Sequence, residues 1–169
     1  EDTSPISVTA DVGLYSDYMW RGFNLYSGSS IQPAVTATYT DADYGSLSAG
    51  AWMHLSGESN NGPEKYTELD LLLVYDYSFD SVTASFGHTW YTYPGGEPTD
   101  TLSSGEFFAS LAFDAFLSPT VTVYEDYDAY DTQYYELGVS HSLTSECLGE
   151  GFNLTPFYNV GFATNSEKL

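Results

Sequence analysis

Along most of the chain apolar and polar residues alternate with a period of two, in nine runs parted by turn-forming residues. Val8, Ala10, Val12 and Leu14 oppose Ser7, Thr9, Asp11 and Gly13, and Ile31, Val35, Ala37 and Tyr39 oppose Gln32, Thr36, Thr38 and Thr40. One parity is shared by Leu47, Ala49, Ala51, Met53 and Leu55, and in the next run by Leu69, Leu71, Leu73, Tyr75 and Tyr77. Val82, Ala84, Phe86 and Trp90 follow, then Phe107, Ala109, Leu111, Phe113 and Ala115. A shorter run surrounds Val121 and Val123; the last two carry Tyr135, Leu137, Val139 and Leu143, and Phe152, Leu154, Tyr158, Val160 and Phe162. Side chains two apart on a strand point to one face, so each run predicts a strand with one apolar and one polar side.

A half-buried soluble sheet has the same alternation, so the links and the aromatics must separate the two cases. The links alternate in length. Ser16 to Ser30, Gly57 to Lys65 and Pro94 to Ser104 are long; Asp41 to Gly45, Ser78 to Ser81 and Phe116 to Ser118 are short. Asp126 to Thr132 is of moderate length, and Thr144 to Glu150 departs mildly from the rhythm. Outer-membrane barrels have tight turns at one rim and longer loops at the other. On the apolar parity Tyr39, Tyr75, Tyr77, Trp90 and Tyr135 lie near strand ends, while Ala49, Ala51 and Ala84 lie in the middle. That is the dressing of an apolar band flanked by aromatic girdles. Most runs span about nine to eleven residues, enough for a tilted strand to cross a bilayer. The fold class expected is therefore all-β, an antiparallel up-and-down transmembrane β-barrel, with residues 1–169 as a single domain. Nine strands are visible, and an even-numbered barrel of ten or twelve would need closing strands beyond them.

Charge narrows the function. Three basic residues (Arg21, Lys65 and Lys168) face 24 acidic ones, for a formal net charge of −21. Nucleic-acid binding needs clustered Lys and Arg and is excluded as a reading. Disorder does not fit so many Tyr, Phe, Val and Leu in strand spacing. The longest apolar run, Leu71 to Tyr75, is far too short for a membrane-spanning helix. The opening Glu1-Asp2-Thr3-Ser4-Pro5 fits an exported chain whose signal peptide has been removed. The single cysteine, Cys147, reads as an unpaired turn residue.

Three segments in order carry a resemblance: Ser16-Asp17-Tyr18-Met19-Trp20-Arg21-Gly22-Phe23 before Gln32-Pro33, Thr67-Glu68-Leu69-Asp70, and Trp90-Tyr91-Thr92-Tyr93-Pro94-Gly95. Together they resemble the TorF family of porin-like proteobacterial proteins, over roughly Val8 to Leu143. The resemblance implies an exported barrel in the bacterial outer membrane, in contact with the lipid bilayer and lipopolysaccharide, and implies little about the solute.

Chemistry is sparse. Asp11, Glu68, Asp70, Asp76, Glu106, Asp114 and Glu136 lie on the polar parity, with no Lys or Arg on that face of any strand. In a barrel they point inward and favour inorganic cations over anions, although a small lumen can instead be filled by side chains. Arg21, the one arginine, sits near the mouth among Tyr18, Trp20 and Phe23, where it can pair with an acid and form a constriction. Glu125, Asp126, Asp128 and Asp131 cluster in one loop, but their spacing lacks the glycine and terminal glutamate of a calcium loop, so solvated acids are the better reading. Asn153-Leu154-Thr155, a glycosylation acceptor pattern, has no meaning inside a bacterial barrel strand. The histidines His54, His88 and His141 lie on separate strands, and only His54 with Ser56 loosely suggests a nucleophile and base, so no enzyme and no cofactor is expected. The leading function is a porin-like channel for passive diffusion with an acidic, cation-favouring lumen. The alternative is a non-conducting barrel whose Tyr-rich external loops dock a protein partner or another copy, and a soluble exported β-sandwich ranks third.

Overall fold

The computed structural model describes residues 4–57, 67–94, 103–143 and 154–164. Each alternating run forms a strand: β1 Ile6–Trp20, β2 Phe23–Asp41, β3 Gly45–Ser56, β4 Thr67–Phe79, β5 Val82–Thr92, β6 Ser104–Phe113, β7 Thr120–Asp126, β8 Thr132–Ser140 and β9 Phe157–Ala163. Every strand pairs antiparallel with the next, in the order β1 to β9, and no helix occurs among the described residues. The all-β, up-and-down sheet curls into a half-barrel, so that Arg21, between β1 and β2, touches β6, β7 and β8 across the concave side. Among the described residues β1 and β9 each have one neighbour. Both run in the same direction, so a direct ladder between them would be parallel.

Register sorts the two faces. One row on the concave face runs Asp11, Ala34, Trp52, Asp70, Tyr91 and Ser104; the row beside it on that face runs Thr36, Gly50, Leu72, Thr89, Glu106 and Asp126. The convex face carries Ala10, Val35, Ala51, Leu71 and Trp90. Burial is the inverse of a soluble sheet. Among the described residues Tyr18 is the one apolar side chain fully buried, while Leu14 is 78% exposed and Phe86 57%. Ser30, His54, Glu68, Asp70, Thr89 and Glu106 are buried instead. Soluble domains almost never bury such acids while leaving a continuous apolar wall outside.

One expected loop is not a loop. The segment Ser16 to Ser30 continues β1 and β2 into a long hairpin closed by two residues, Arg21 (φ 47°) and Gly22 (φ 86°). Successive left-handed residues make the tight turn whose twist matches paired strands. Register shifts between Tyr15 and Asp17 and between Tyr18 and Met19 bend this hairpin. The first shift reverses parity, which is why Tyr18, apolar by its neighbours, points to the concave side. The Gly57 to Lys65, Pro94 to Ser104 and Thr144 to Glu150 links fall largely outside the described residues, as do Cys147, Phe152 and Asn153. The turns at the other rim are short, as expected: Asp41 Oδ1 accepts the backbone N–H of Asp43 and Tyr44 at 2.9 and 3.0 Å, and β4 and β5 join through Asp80 and Ser81.

Gly45 and Gly22 differ in a way that can be measured. Both have left-handed backbone (φ 83° and 86°), but a Cβ on Gly45 would strike the Asp76 carbonyl oxygen, whereas one on Gly22 meets nothing within 4 Å. Gly45→Ala is expected to lower stability by roughly 2–4 kcal/mol and Gly22→Ala by about 1 kcal/mol. Urea unfolding of the refolded protein checks this, and equal effects would contradict the close approach of β3 and β4.

Candidate functional site at the mouth of the half-barrel

The bent hairpin lies across the concave side at the rim of the longer loops. Tyr18 stacks on His54 of β3 with ring centroids 4.7 Å apart and tilts against Trp52 at 5.4 Å. Tyr26, on the returning strand, reaches the same imidazole at 5.3 Å. His54 Nδ1 meets Ser30 Oγ at 2.8 Å, and Gln32 donates to that oxygen at 3.0 Å. His54 is therefore enclosed by rings and a hydroxyl of the hairpin, not aimed at Ser56. Further along, Trp20 meets the ring of Tyr91 on β5 edge-on at 6.4 Å.

At the tip stands Arg21. Its Nη1 and Nη2 donate to Glu106 Oε2 and Oε1 at 2.7 and 2.8 Å, a two-pronged ion pair in which the side chains are 10% and 3% exposed. The Tyr91 hydroxyl donates to Glu106 Oε1 at 3.0 Å. The guanidinium carbon lies 4.4 Å from the Trp20 ring, 4.2 Å from Tyr124 of β7 and 4.6 Å from Tyr134 of β8. Burial by itself pulls the Arg21 pKa down, but the hydrogen bonds and charge of Glu106 outweigh it and hold it above its ordinary value. Arg21 is thus a cation at every accessible pH. A planar guanidinium suits such a place because its fork matches a carboxylate while its faces accept rings.

Beside this clasp lies a cavity of about 250 Å³. Trp20, Asn24 and Leu25 of the hairpin form one side, and Glu68, Tyr93 and Tyr130 belong to the other. The Tyr130 phenol, pushed up by burial and then by the charges of Asp126 and Glu68, stays protonated.

The seven acids expected inside are not one ring. Glu68, Asp70 and Glu106 are buried toward the mouth, whereas Asp76 and Glu136 share a separate concave row, with Asp76 near the short turn after β4 and Glu136 in the middle of β8. Asp11, in the row of Asp70, is exposed on edge strand β1, and Asp114 lies one residue beyond β6, exposed in a turn. Of the four acids at the β7–β8 connection, read as solvated, Asp126 is the exception. Asp126 Oδ1 accepts the backbone N–H of Asp128, Tyr130 and Asp131 at 3.1, 3.0 and 3.2 Å, and Oδ2 accepts the Ser104 hydroxyl at 2.6 Å. That carboxylate is spent on ordering its own loop. Glu125 is exposed with the convex parity, Asp128 and Asp131 are exposed, and no group of three metal-binding side chains occurs among the described residues. Sequence reading singled out Arg21 and Glu106 separately and missed Tyr91, Tyr124 and Tyr134. The available signal was that all three tyrosines share the polar parity of their strands.

Removing one partner of a buried ion pair leaves the other uncompensated, at about 3–5 kcal/mol. Arg21→Ala and Glu106→Ala are each expected to destabilise by that amount, and the double variant by much less than the sum. In both single variants residues 16–29 should become open to limited proteolysis. Additive losses in a double-mutant cycle would mean that the clasp holds nothing.

No curated protein and no solved structure matches this chain. The family model described as "Bacterial protein of unknown function (Gcw_chp)" matches residues 1–150, and its description names neither TorF nor porins. With nearly nine-tenths of its length so matched, the chain belongs to the Gcw_chp family of bacterial proteins.

Proposed function

We propose that this chain forms a porin-like barrel of the bacterial outer membrane, with an acidic interior that favours small cations in passive diffusion. The observation that carries the reading is the inversion of the two faces. A convex wall of Val, Leu, Ile and Phe left in water would be an aggregation surface, and hydrocarbon is the medium that suits it. Outward aromatics stand toward both rims, with Tyr39, Tyr75 and Tyr77 near the short turns and Trp90, Phe107 and Tyr135 toward the longer loops. That arrangement fits the two interfaces of a bilayer. The resemblance to TorF points the same way. On the concave side Glu68, Asp70, Glu106 and Asp126 are buried. An interior lined by acidic side chains favours cations over anions.

A second reading, a non-conducting barrel that docks a partner at its rim, is favoured by the hairpin itself, which lies across the mouth. Planar-bilayer recording separates the two. The channel reading expects cation-selective current in a salt gradient, a reversal potential moved toward zero by Glu68→Gln with Asp70→Asn, and a larger conductance in Arg21→Ala. Folded protein that carries no current, with or without Arg21, belongs to the second reading. Protein that remains monodisperse without detergent excludes both.

A further inference from the structure

Apart from Trp20, every group that holds the Arg21 guanidinium belongs to the wall of β5–β8. Glu106 presents both carboxylate oxygens, Tyr91 fixes one of them, and Tyr124 and Tyr134 offer ring faces at 4.2 and 4.6 Å. A fork-matching carboxylate with aromatic faces is a complete receptor for a flat organic cation. The wall does not owe its shape to the hairpin. Glu106 is fixed by its ladder with Thr89 and Asp126, and Tyr124 stands directly opposite Tyr134.

The hairpin, for its part, can leave without breaking the sheet. Pairing of β2 with β3 begins at Ser30, with one further bond from Gly57 N to Ser29 O. From Asp17 to Ser27 the two arms pair with each other, beyond the register shift where Gly28 and Ser29 of β2 oppose Ser16. The cavity of about 250 Å³ next to the clasp gives room for whatever a guanidinium is attached to, and Glu68 and Asp126 add negative charge to its lining.

We propose that Arg21 is a tethered ligand, occupying a receptor on β5–β8 whose free ligand is an alkylguanidinium or similar flat organic cation. The attached arginine competes by its high effective concentration, so the external cation binds well only where the hairpin lifts or Arg21 is absent. Nothing in this requires that the barrel conduct. Ligand binding and current are separate readouts, and either can fail alone.

The probes are butylguanidinium and n-butylammonium, titrated calorimetrically onto detergent-folded protein. Butylguanidinium is expected to bind Arg21→Ala at least about tenfold tighter than wild type and to raise the variant's unfolding temperature. Adding Glu106→Gln should weaken that binding by about tenfold or more, since hydrogen bonds to a charged partner carry it. Butylammonium, lacking the fork, should bind more weakly. Equal binding to Arg21→Ala with and without Glu106→Gln, or equal binding to wild type and Arg21→Ala, overturns the proposal.

Discussion

A guanidinium withdrawn from water is tolerated only where a countercharge, hydrogen-bond acceptors and polarisable faces surround it together, and Arg21 has all three. The demand reaches far along the chain. Glu106 in β6 with Tyr91 in β5, and the facing Tyr124 and Tyr134 of β7 and β8, each held by its own ladder, meet it together under one hairpin tip. Those groups come from four neighbouring strands, so their meeting depends on correct register across the whole middle of the sheet. The clasp depends on the curl in turn. A flat sheet could not place the β1–β2 turn over β8.

The same constraint explains the inverted faces. Placing Glu68, Asp70, Glu106 and Asp126 inside the curl makes an interior that only cations, hydroxyls and backbone amides can satisfy. Part of that demand is met locally: Asp126 orders the loop that follows it, and Glu106 binds Arg21. Apolar residues displaced from the interior take the convex face, where Leu14, Phe86 and Trp90 stand more than half exposed. Between the proposed lipid on one side and the acidic interior on the other, the wall is a single layer thick.

Much of this was legible from period two. The parity of Leu71, Leu73 and Tyr75 against Asp70 and Asp76 follows directly from strand geometry, and register carries it across nine strands. What the alternation could not carry was the hairpin. Its signal is interrupted at Ser16, where the register shifts against Gly28 and Ser29 and the rest of β1 changes sides, and a broken alternation reads as a loop. Arg21-Gly22 was the remaining clue, a dipeptide whose second residue accepts left-handed backbone at no cost while Arg21 does not. Asp126 misled for another reason. Its neighbours in the chain are acidic, so it read as one solvated acid among several, yet it is buried and its partners include backbone amides that composition does not reveal. The pairing of Arg21 with Glu106, 85 residues apart, needed the curl itself.

The three tryptophans give the most direct access to the central claim, that the apolar convex face meets lipid while the polar concave face does not. Trp90 lies on the convex face, 55% exposed; Trp52 and Trp20 lie on the concave side beside Tyr18 and Tyr91. Variants retaining one tryptophan each, with phenylalanine at the other two positions, can be folded into vesicles containing brominated lipid. The account predicts strong quenching of Trp90 and little of Trp52 or Trp20. Quenching of Trp52 with Trp90 unaffected, or no quenching of any of the three, would contradict it.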